Sequence, residues 1–227
     1  MPVSGFQRVS LVDYPGCVAS TIFFSGCDFR CPFCQNPDLI LATGPALDER
    51  EIFDYLQKNA IKKIDAVCLS GGEPLLDPRV FEFIARIKEL GLKVKIDTNG
   101  SHPDFLEKLD VDYVAMDVKT SFDRYRELSA ISNVAGKVRR SMKFLIQNAK
   151  FDYEFRTTLV PGLFGKNEIE LLENDIVGAK RWLWQSFRND VTLDPSYRYK
   201  EPLLAPEVEM LLECGRKVVP NTKWRGR

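Results

Sequence analysis

The chain has 227 residues, of which 44% are hydrophobic and 28% are charged. This composition is typical of a folded globular protein, and the length suits a single domain. Lysine and arginine together number 32, as do aspartate and glutamate, so the formal net charge is zero. The charge balance therefore argues against a nucleic-acid-binding or membrane-surface protein, and we expect neither partner.

The N-terminal sequence and the cysteine content indicate a cytoplasmic protein. The N-terminus, MPVSGFQRVSLVDYPG, lacks the basic segment and apolar run of a secretory signal. No stretch approaches the roughly 18 apolar residues of a membrane-spanning helix. In a reducing compartment, six cysteines are not expected to form a disulfide framework, so a tight group among them indicates metal or redox chemistry.

The predicted elements alternate between strands and helices. The first strand is predicted at 17–25, where CVASTIFFS is an apolar and β-branched run that ends at Gly26. Further strands are predicted at 64–70, 92–98, 112–119, 153–160 and 179–187. Helices are predicted at 48–59, 77–90, 103–109, 136–148 and 167–176. Asp77 is the expected N-cap of the second helix, and Asn167 with Glu170 form a predicted capping box.

This alternation predicts parallel β-α-β units, arranged either as a doubly wound sheet or as an open (β/α) barrel. In both architectures, ligands bind at the carboxyl ends of the strands. Five polar or glycine-bearing segments follow the first five strands: GCDFRCPFC, SGGEP, DTNG, MDVK and LVPG. We therefore expect them to meet at one rim of the sheet.

We expect one domain over residues 1–227. Its core is predicted at about 17–187, and 188–227 is predicted to be a C-terminal extension with a final helix. The basic tail, KWRGR, is expected to be a frayed end.

Cys27, Cys31 and Cys34 lie close together on a loop that begins with glycine. Thiolates are the preferred ligands of iron–sulfur clusters, and a [4Fe–4S] cluster held by three cysteines leaves one iron open to a substrate. The alternative is a structural zinc site, which needs four ligands, usually as two spaced pairs. Its fourth ligand would be one of three residues: Cys17, Cys68 or His102.

The SGGEP segment indicates a ligand that comes close to the backbone. Gly71 and Gly72 allow that close approach, and Glu73 adds a carboxylate. The G-x-G-x-x-G spacing of a dinucleotide-binding turn is missing. Glycine amide and carbonyl groups with one carboxylate suit an ammonium-bearing ligand better than a pyrophosphate.

Together, CDFRCPFC and the downstream SGGEP resemble the motifs of the radical S-adenosylmethionine (SAM) superfamily, and the similarity continues through DTNG, MDVK and RTTLVPG. The longer run GFQRVSLVDYPGCVASTIFFSGCDFRCPFCQNP is similar to the activating proteins of glycyl radical enzymes, especially the branch named for the anaerobic ribonucleotide reductase activator. The resemblance covers most of residues 5–187. It implies a partial (β/α)6 TIM-like barrel.

The resemblance also implies a role for each matching residue. The expected cluster ligands are Cys27, Cys31 and Cys34. Phe33 would lie near the adenine of SAM. The methionine amino group of SAM would be met by Gly71, Gly72 and Glu73.

Further residues are expected along the SAM rim. Asp97, Thr98 and Asn99 would lie beside SAM, and Asp97 with Asp117 would help to bind a monovalent cation. Lys119 would pair with the SAM carboxylate.

The last expected contacts come from the fifth strand and the cysteine loop. Arg156 and Val160, the latter in a Val-Pro-Gly turn, would line the cavity. Gln35 departs from the branch, which commonly has histidine at this position, and could alter hydrogen bonding around the cluster.

In the function that the resemblance implies, a flavodoxin- or ferredoxin-type donor reduces the cluster. SAM is then cleaved to methionine and a 5′-deoxyadenosyl radical, which takes a Cα hydrogen from a glycine of a partner enzyme. Two alternatives stay open. One is a radical SAM enzyme with a purine- or pterin-like small substrate, over which 188–204 would close; the other is a non-catalytic iron–sulfur or zinc module for electron transfer or docking.

Overall fold

The computed structural model describes residues 2–60 and 62–226, which form one sheet surrounded by helices. The strands are β1 (Val3–Ser10), β2 (Ala19–Phe24), β3 (Ala66–Gly71), β4 (Lys93–Thr98), β5 (Tyr113–Asp117), β6 (Asp152–Leu159), β7 (Trp182–Ser186) and β8 (Thr222–Arg225). The helices are α1 (Pro37–Leu41), α2 (Glu49–Asn59), α3 (Val80–Glu89), α4 (Pro103–Leu106), α5 (Val134–Asn148), α6 (Lys166–Ile176) and α7 (Ala205–Val218).

The order of the strands in the sheet follows their order in the chain, from β1 to β8. β1 pairs antiparallel with β2, and every later pair of neighbours is parallel. β1 and β8 form the two edges, so the sheet does not close into a complete barrel. The predicted partial (β/α)6 barrel is confirmed, and its six strands correspond to β2 through β7.

Two edge strands extend the sheet beyond the predicted core. β1 lies in a segment for which no strand was predicted, because Gly5, Gln7 and Arg8 interrupt its apolar pattern. β8 lies in the tail that was expected to fray. The Trp224 indole N–H donates to Ser186 Oγ at 3.0 Å, which ties β8 to the end of β7. Arg227, the last residue of the tail, lies outside the described residues.

Two predicted helix starts were wrong. α3 begins at Val80 rather than after Asp77, because a tighter turn precedes it, in which the Val80 N–H donates to the Asp77 carbonyl at 3.1 Å. α6 begins at Lys166, so Asn167 lies inside the first turn instead of capping it. The predicted capping box is therefore absent from α6.

The main hydrophobic core lies between the outer face of the sheet and the helices. α3 shows why, since Val80, Phe83, Ile84 and Ile87 recur at helical spacing and are all buried. The inner face of the sheet carries a smaller, separate apolar cluster near the amino ends of the strands. At the carboxyl ends of the strands, polar side chains occupy the inner face. In the part of the chain that the structure describes, the helices are all too short or too polar to span a membrane.

Candidate active site

A cavity of about 260 Å³ lies where the parallel strands end, beside the cysteine loop. It brings together every predicted site residue except Glu73 and Val160. The predicted residues that line it are Cys27, Cys31, Phe33, Cys34, Gly71, Gly72, Asp97, Thr98, Asn99, Asp117, Lys119 and Arg156. A larger depression of about 480 Å³ lies along α5 and contains none of the strand-end motifs.

The cysteine loop is shaped by short-range hydrogen bonds. Gly26 takes a positive φ of 93° after β2, and the Cys34 N–H donates to the Cys31 carbonyl at 3.0 Å. Two amides point at sulfur atoms: Phe29 N–H donates to Cys27 Sγ, and Asn36 N–H donates to Cys34 Sγ, each at 3.4 Å. Backbone donors of this kind favour thiolates, which are the form that binds metal.

Burial favours the neutral thiol form of these cysteines, and the nearby positive charge of Lys119 opposes it only in part. Burial raises the pKa of Cys27 to about 12, and burial raises that of Cys31 to about 12 as well. A metal must displace their protons when it binds, because the thiolate is the ligand. Within the described ranges, no three Cys, His, Asp or Glu side chains surround a single ion position; the three thiols line the cavity wall together.

Gly71 and Gly72 bring the end of β3 against the start of the cysteine loop. Gly71 has a φ of 118°, which side chains disfavour, and Gly72 N–H donates to the Phe24 carbonyl at 2.8 Å. A Cβ on Gly72 would overlap the Gly26 carbonyl. The two glycines therefore allow a close approach between the loops that border the cavity.

Glu73 is fully buried behind the cavity wall, so its carboxylate does not line the cavity as expected. It accepts hydrogen bonds from Leu75 N–H at 3.0 Å, Thr98 Oγ1 at 2.7 Å and Asn99 N–H at 2.6 Å. Burial, with the nearby charge of Asp28, raises the pKa of Glu73 to about 7. The Glu73 carboxylate therefore holds Thr98 and Asn99 in place at the rim of the cavity.

Asp28 joins the cysteine loop to the end of β4, and sequence reasoning missed it. Its carboxylate accepts hydrogen bonds from Asn99 Nδ2 at 2.9 Å, Ser101 Oγ at 2.6 Å and His102 Nε2 at 3.0 Å. Asn99 Nδ2 also lies 3.8 Å from Cys27 Sγ. Burial raises the pKa of Asp28. The hydrogen bonds that the carboxylate accepts, with that from His102 first, lower the pKa by more, so it lies below its usual range. His102, considered above as a zinc ligand, is thus engaged with a carboxylate.

Charged side chains alternate across the ends of β4, β5 and β6. Asp97 contacts Lys95 Nζ and lies 3.0 Å from Arg156 Nη1. Arg156 Nε lies 3.0 Å from Asp117, whose other oxygen is 3.1 Å from Lys119 Nζ. Burial raises the pKa of Asp117, but Arg156 and Lys119 lower it more, to about 2. Every oxygen of the two carboxylates has a cationic partner, so the expected monovalent cation does not fit this arrangement.

Other predicted residues lie at the edges of the site. Val160 is buried and does not line the cavity, whereas Arg156 does. Lys119 Nζ lies 6.0 Å from the centroid of the Phe33 ring. Gln35 Nε2 donates to the Arg188 carbonyl at 3.2 Å, and this bond joins the cysteine loop to the C-terminal extension.

Comparison with known proteins identifies the family. Residues 21–174 match the profile of the Radical SAM superfamily. The chain belongs to the radical SAM superfamily. This radical SAM enzyme uses a [4Fe–4S] cluster and SAM. Its donor set fits that pair, because three thiols and charged groups suited to a zwitterionic ligand line the same cavity.

Curated relatives of this radical SAM enzyme include proteins named as activating enzymes. It is 33% identical over 222 residues to a protein of Methanocaldococcus jannaschii named as a glycyl-radical enzyme activating enzyme, covering 94% of this chain and 90% of that one. It is 33% identical over 150 residues to the pyruvate formate-lyase-activating enzyme of Listeria monocytogenes, covering 58% of each chain.

Solved structures share the fold of this radical SAM enzyme at low sequence identity. Streptococcus suis SuiB bound to the precursor peptide SuiA superposes with a TM-score of 0.66 at 15% identity, over 91% of this chain. This chain spans 48% of that one, or about half its length. Archaeal TYW1 superposes with a TM-score of 0.56 at 19% identity, over 88% of this chain and 72% of that one. These likenesses show the fold alone.

Proposed function

We propose that this radical SAM enzyme activates a glycyl radical enzyme, by removing one hydrogen atom from the Cα of a partner glycine. The anaerobic ribonucleotide reductase is the partner that the sequence resemblance favours. The observation that carries the proposal is the meeting of the cysteine loop, the glycine turn and the charged strand ends in one cavity. The similarity to an archaeal activating enzyme over 94% of the chain supports it.

On one side of the cavity, we assign Cys27, Cys31 and Cys34 as the cluster ligands. The amides that point at Cys27 and Cys34 would stabilise their thiolates. When bound, the cluster supplies the electron that cleaves SAM to methionine and a 5′-deoxyadenosyl radical. The chain itself has to exclude water and fix the geometry.

On the other side, we assign the charged strand ends to the methionine part of SAM. Lys119 and Arg156 line the cavity as cations and would attract the carboxylate of SAM. Gly71 and Gly72 would face its amino group, and Phe33 would lie against the adenine. Glu73 and Asp28 act indirectly in this assignment, because their carboxylates hold the Asn99 region rather than the ligand.

Transfer of a hydrogen atom from a glycine Cα needs no acid or base from the protein. The chain offers none at the cavity in the form of histidine, since His102 is bonded to Asp28. What the residues supply is orientation, and this is the main contribution of a protein to cofactor chemistry of this kind.

The first experiment is anaerobic reconstitution with iron and sulfide, followed by reduction with dithionite. Electron paramagnetic resonance should show a reduced cluster whose signal changes when SAM is added, with 5′-deoxyadenosine formed in the same tubes. The Cys31→Ala variant is the control and should give neither result. A cluster that ignores SAM would contradict the proposal.

The second experiment tests the target. The anaerobic ribonucleotide reductase of the same organism is prepared with glycine deuterated at Cα and is mixed with the reconstituted enzyme and SAM. We expect deuterium in 5′-deoxyadenosine and a glycyl radical signal on the partner. SAM cleavage without deuterium transfer would reject this partner.

A small-molecule substrate is the second candidate, and one observation favours it. The C-terminal extension touches the cysteine loop twice, through Gln35 to Arg188 and through the Asp194 N–H to the Pro32 carbonyl at 2.9 Å. An extension held there could close over a purine- or pterin-like molecule. Substrate-dependent formation of 5′-deoxyadenosine with such a molecule, and none with a glycyl radical enzyme, would favour this candidate.

We further propose a flavodoxin- or ferredoxin-type electron donor and a cytoplasmic location. The donor follows from the need for one low-potential electron in each turnover, and the location from thiol chemistry that requires a reducing compartment. Replacing dithionite with a reduced flavodoxin should support SAM cleavage. Failure with both donor classes would reject this part of the proposal.

A further inference from the structure

Lys95 is a buried lysine for which the sequence analysis gave no role. It lies on β4, two residues before Asp97, and only 2% of it is exposed. Its ammonium group contacts Asp97 Oδ1 and lies 3.6 Å from Cys68 Sγ. It does not line the cavity, so it acts on a bound ligand only through Asp97. A buried ammonium is costly unless it is paired, and Asp97 supplies the pair.

The charges around Asp97 form a closed set. Asp97 Oδ1 is paired with Lys95, and Asp97 Oδ2 with Arg156. Asp117 is paired with Arg156 and Lys119. Three cations thus meet two carboxylates, which leaves one net positive charge. Lys119 and Arg156 face the cavity, whereas Lys95 supports the set from behind.

We propose that Lys95 is a built-in counter-cation for Asp97, so that SAM binding at this rim requires no monovalent metal ion. An ammonium carries the same single charge as K⁺ but is covalently attached, so its presence does not depend on the salt. It leaves Arg156 free to bridge both aspartates and to present positive charge to the carboxylate of the ligand. The inference rests on the proposed placement of SAM at this rim.

The loss of Lys95 should therefore create a need for a metal ion. In Lys95→Met the side chain keeps its approximate volume but loses its charge, and Asp97 loses one of its two cationic partners. Arg156 would then be drawn toward Asp97 and away from the ligand. A small monovalent cation would restore the balance by occupying the position of the ammonium.

The test measures SAM binding to the reconstituted enzyme by equilibrium dialysis, in KCl and in tetramethylammonium chloride at equal ionic strength. For the wild-type enzyme, the dissociation constant should agree within about twofold between the two salts. For Lys95→Met it should rise about tenfold in tetramethylammonium and return toward the wild-type value in KCl. The electron paramagnetic resonance signal of the reduced cluster with SAM should show the same salt dependence in the variant alone.

Lys93→Met is the matched control, because Lys93 is an exposed lysine two residues earlier on the same strand. It should behave as the wild-type enzyme does in both salts. The wild-type comparison needs no variant, so it decides the proposal even if Lys95→Met does not fold. The double variant Lys95→Met with Asp97→Asn, which removes both charges together, should bind SAM equally in both salts.

Two results would overturn the inference. One is wild-type SAM binding that strengthens several-fold in KCl, and the other is a folded Lys95→Met variant whose affinity is unchanged in both salts. The absence of SAM binding in either salt would instead reject the proposed SAM site. Normal SAM cleavage without glycine activation would reject the proposed partner and leave the role of Lys95 intact.

Discussion

The two ends of the inner face of the sheet are filled in opposite ways. At the amino ends of the strands, Tyr14, Ala19, Ala66, Tyr113 and Ala115 form a small apolar cluster. The carboxyl ends carry the charged side chains and the cavity of about 260 Å³. β5 contributes to both, since Tyr113 begins it and Asp117 ends it.

The difference shows how one sheet can be both stable and reactive. Small alanines let the rings of Tyr14 and Tyr113 approach with centroids 5.7 Å apart, so one end of the barrel is closed by packing. At the other end, polar groups replace that packing and satisfy one another in pairs. Substitutions at the apolar end should therefore change only the stability of the protein. Substitutions at the charged end should change its function.

The largest expected effect is the loss of a cluster ligand. Cys31→Ala removes the most buried of the three loop thiols, and we expect it to lose bound iron and to form no 5′-deoxyadenosine. Iron analysis and the SAM cleavage assay give the answer. Cys214→Ala is the control, because Cys214 lies on α7 away from the cavity. An active Cys31→Ala enzyme would refute the ligand assignment and, with it, the contrast between the two ends.

Next in size is the removal of the buried Glu73 carboxylate. Glu73→Ala leaves three buried donors without an acceptor, at about 1–3 kcal/mol each, so we expect a loss of at least about 3 kcal/mol in the free energy of unfolding. Urea denaturation measures this loss. A loss below about 1 kcal/mol would mean that water or a relaxed loop replaces the carboxylate.

The same residue gives a pH dependence whose sign follows from its raised pKa. A folded-state pKa of about 7 means that the folded protein binds the proton more tightly than the unfolded chain does. The free energy of unfolding should therefore fall by roughly 3 kcal/mol between about pH 4.5 and pH 7 from this group alone. Thermal unfolding of SAM-free protein across this range should show the fall, and Glu73→Ala should lack it. Equal slopes in the two proteins would assign the pH dependence to other groups.

A smaller effect is expected where the two loops of the charged end are joined. Asp28→Asn replaces one acceptor oxygen with an amide donor that opposes Asn99, Ser101 or His102. We expect SAM binding about tenfold weaker, with iron retained, because the loss of such a bond costs about 1–3 kcal/mol. The exposed Asp38 supplies the control variant, Asp38→Asn. Unchanged SAM affinity and an unchanged cluster signal would show that the loops hold their positions without Asp28.

The smallest effect is expected at the apolar end. Tyr113→Phe removes the hydroxyl that donates to Glu154 Oε2 at 2.7 Å, and it should lower the free energy of unfolding by about 1 kcal/mol. The rate of SAM cleavage should not change. A slower rate would show that the two ends of the inner face are coupled, and the comparison would then fail.

The parallel strands and the order of the motifs could be predicted from the sequence, because both depend on local patterns of residues. Apolar, β-branched runs that end in glycine or polar residues predict strands, and parallel strands place their carboxyl ends on one edge. The edge strands β1 and β8 were missed because both are partly exposed and lack a continuous apolar run, and β8 has only four residues. The helix starts at Val80 and Lys166 were also missed, because tertiary turns override local capping signals.

Spacing alone placed Cys27, Cys31 and Cys34 together, since they lie within eight consecutive residues of one loop. Glycines in the sequence likewise indicate backbone conformations that other residues disfavour. These parts of the candidate site were therefore determined by the sequence. The pairing of buried charges from different strands was decided by the tertiary structure alone. Arg156 meets Asp97, Asp28 meets His102 and Glu73 meets Asn99 only because the sheet brings distant strand ends within hydrogen-bond distance, where a low-dielectric interior makes pairing obligatory.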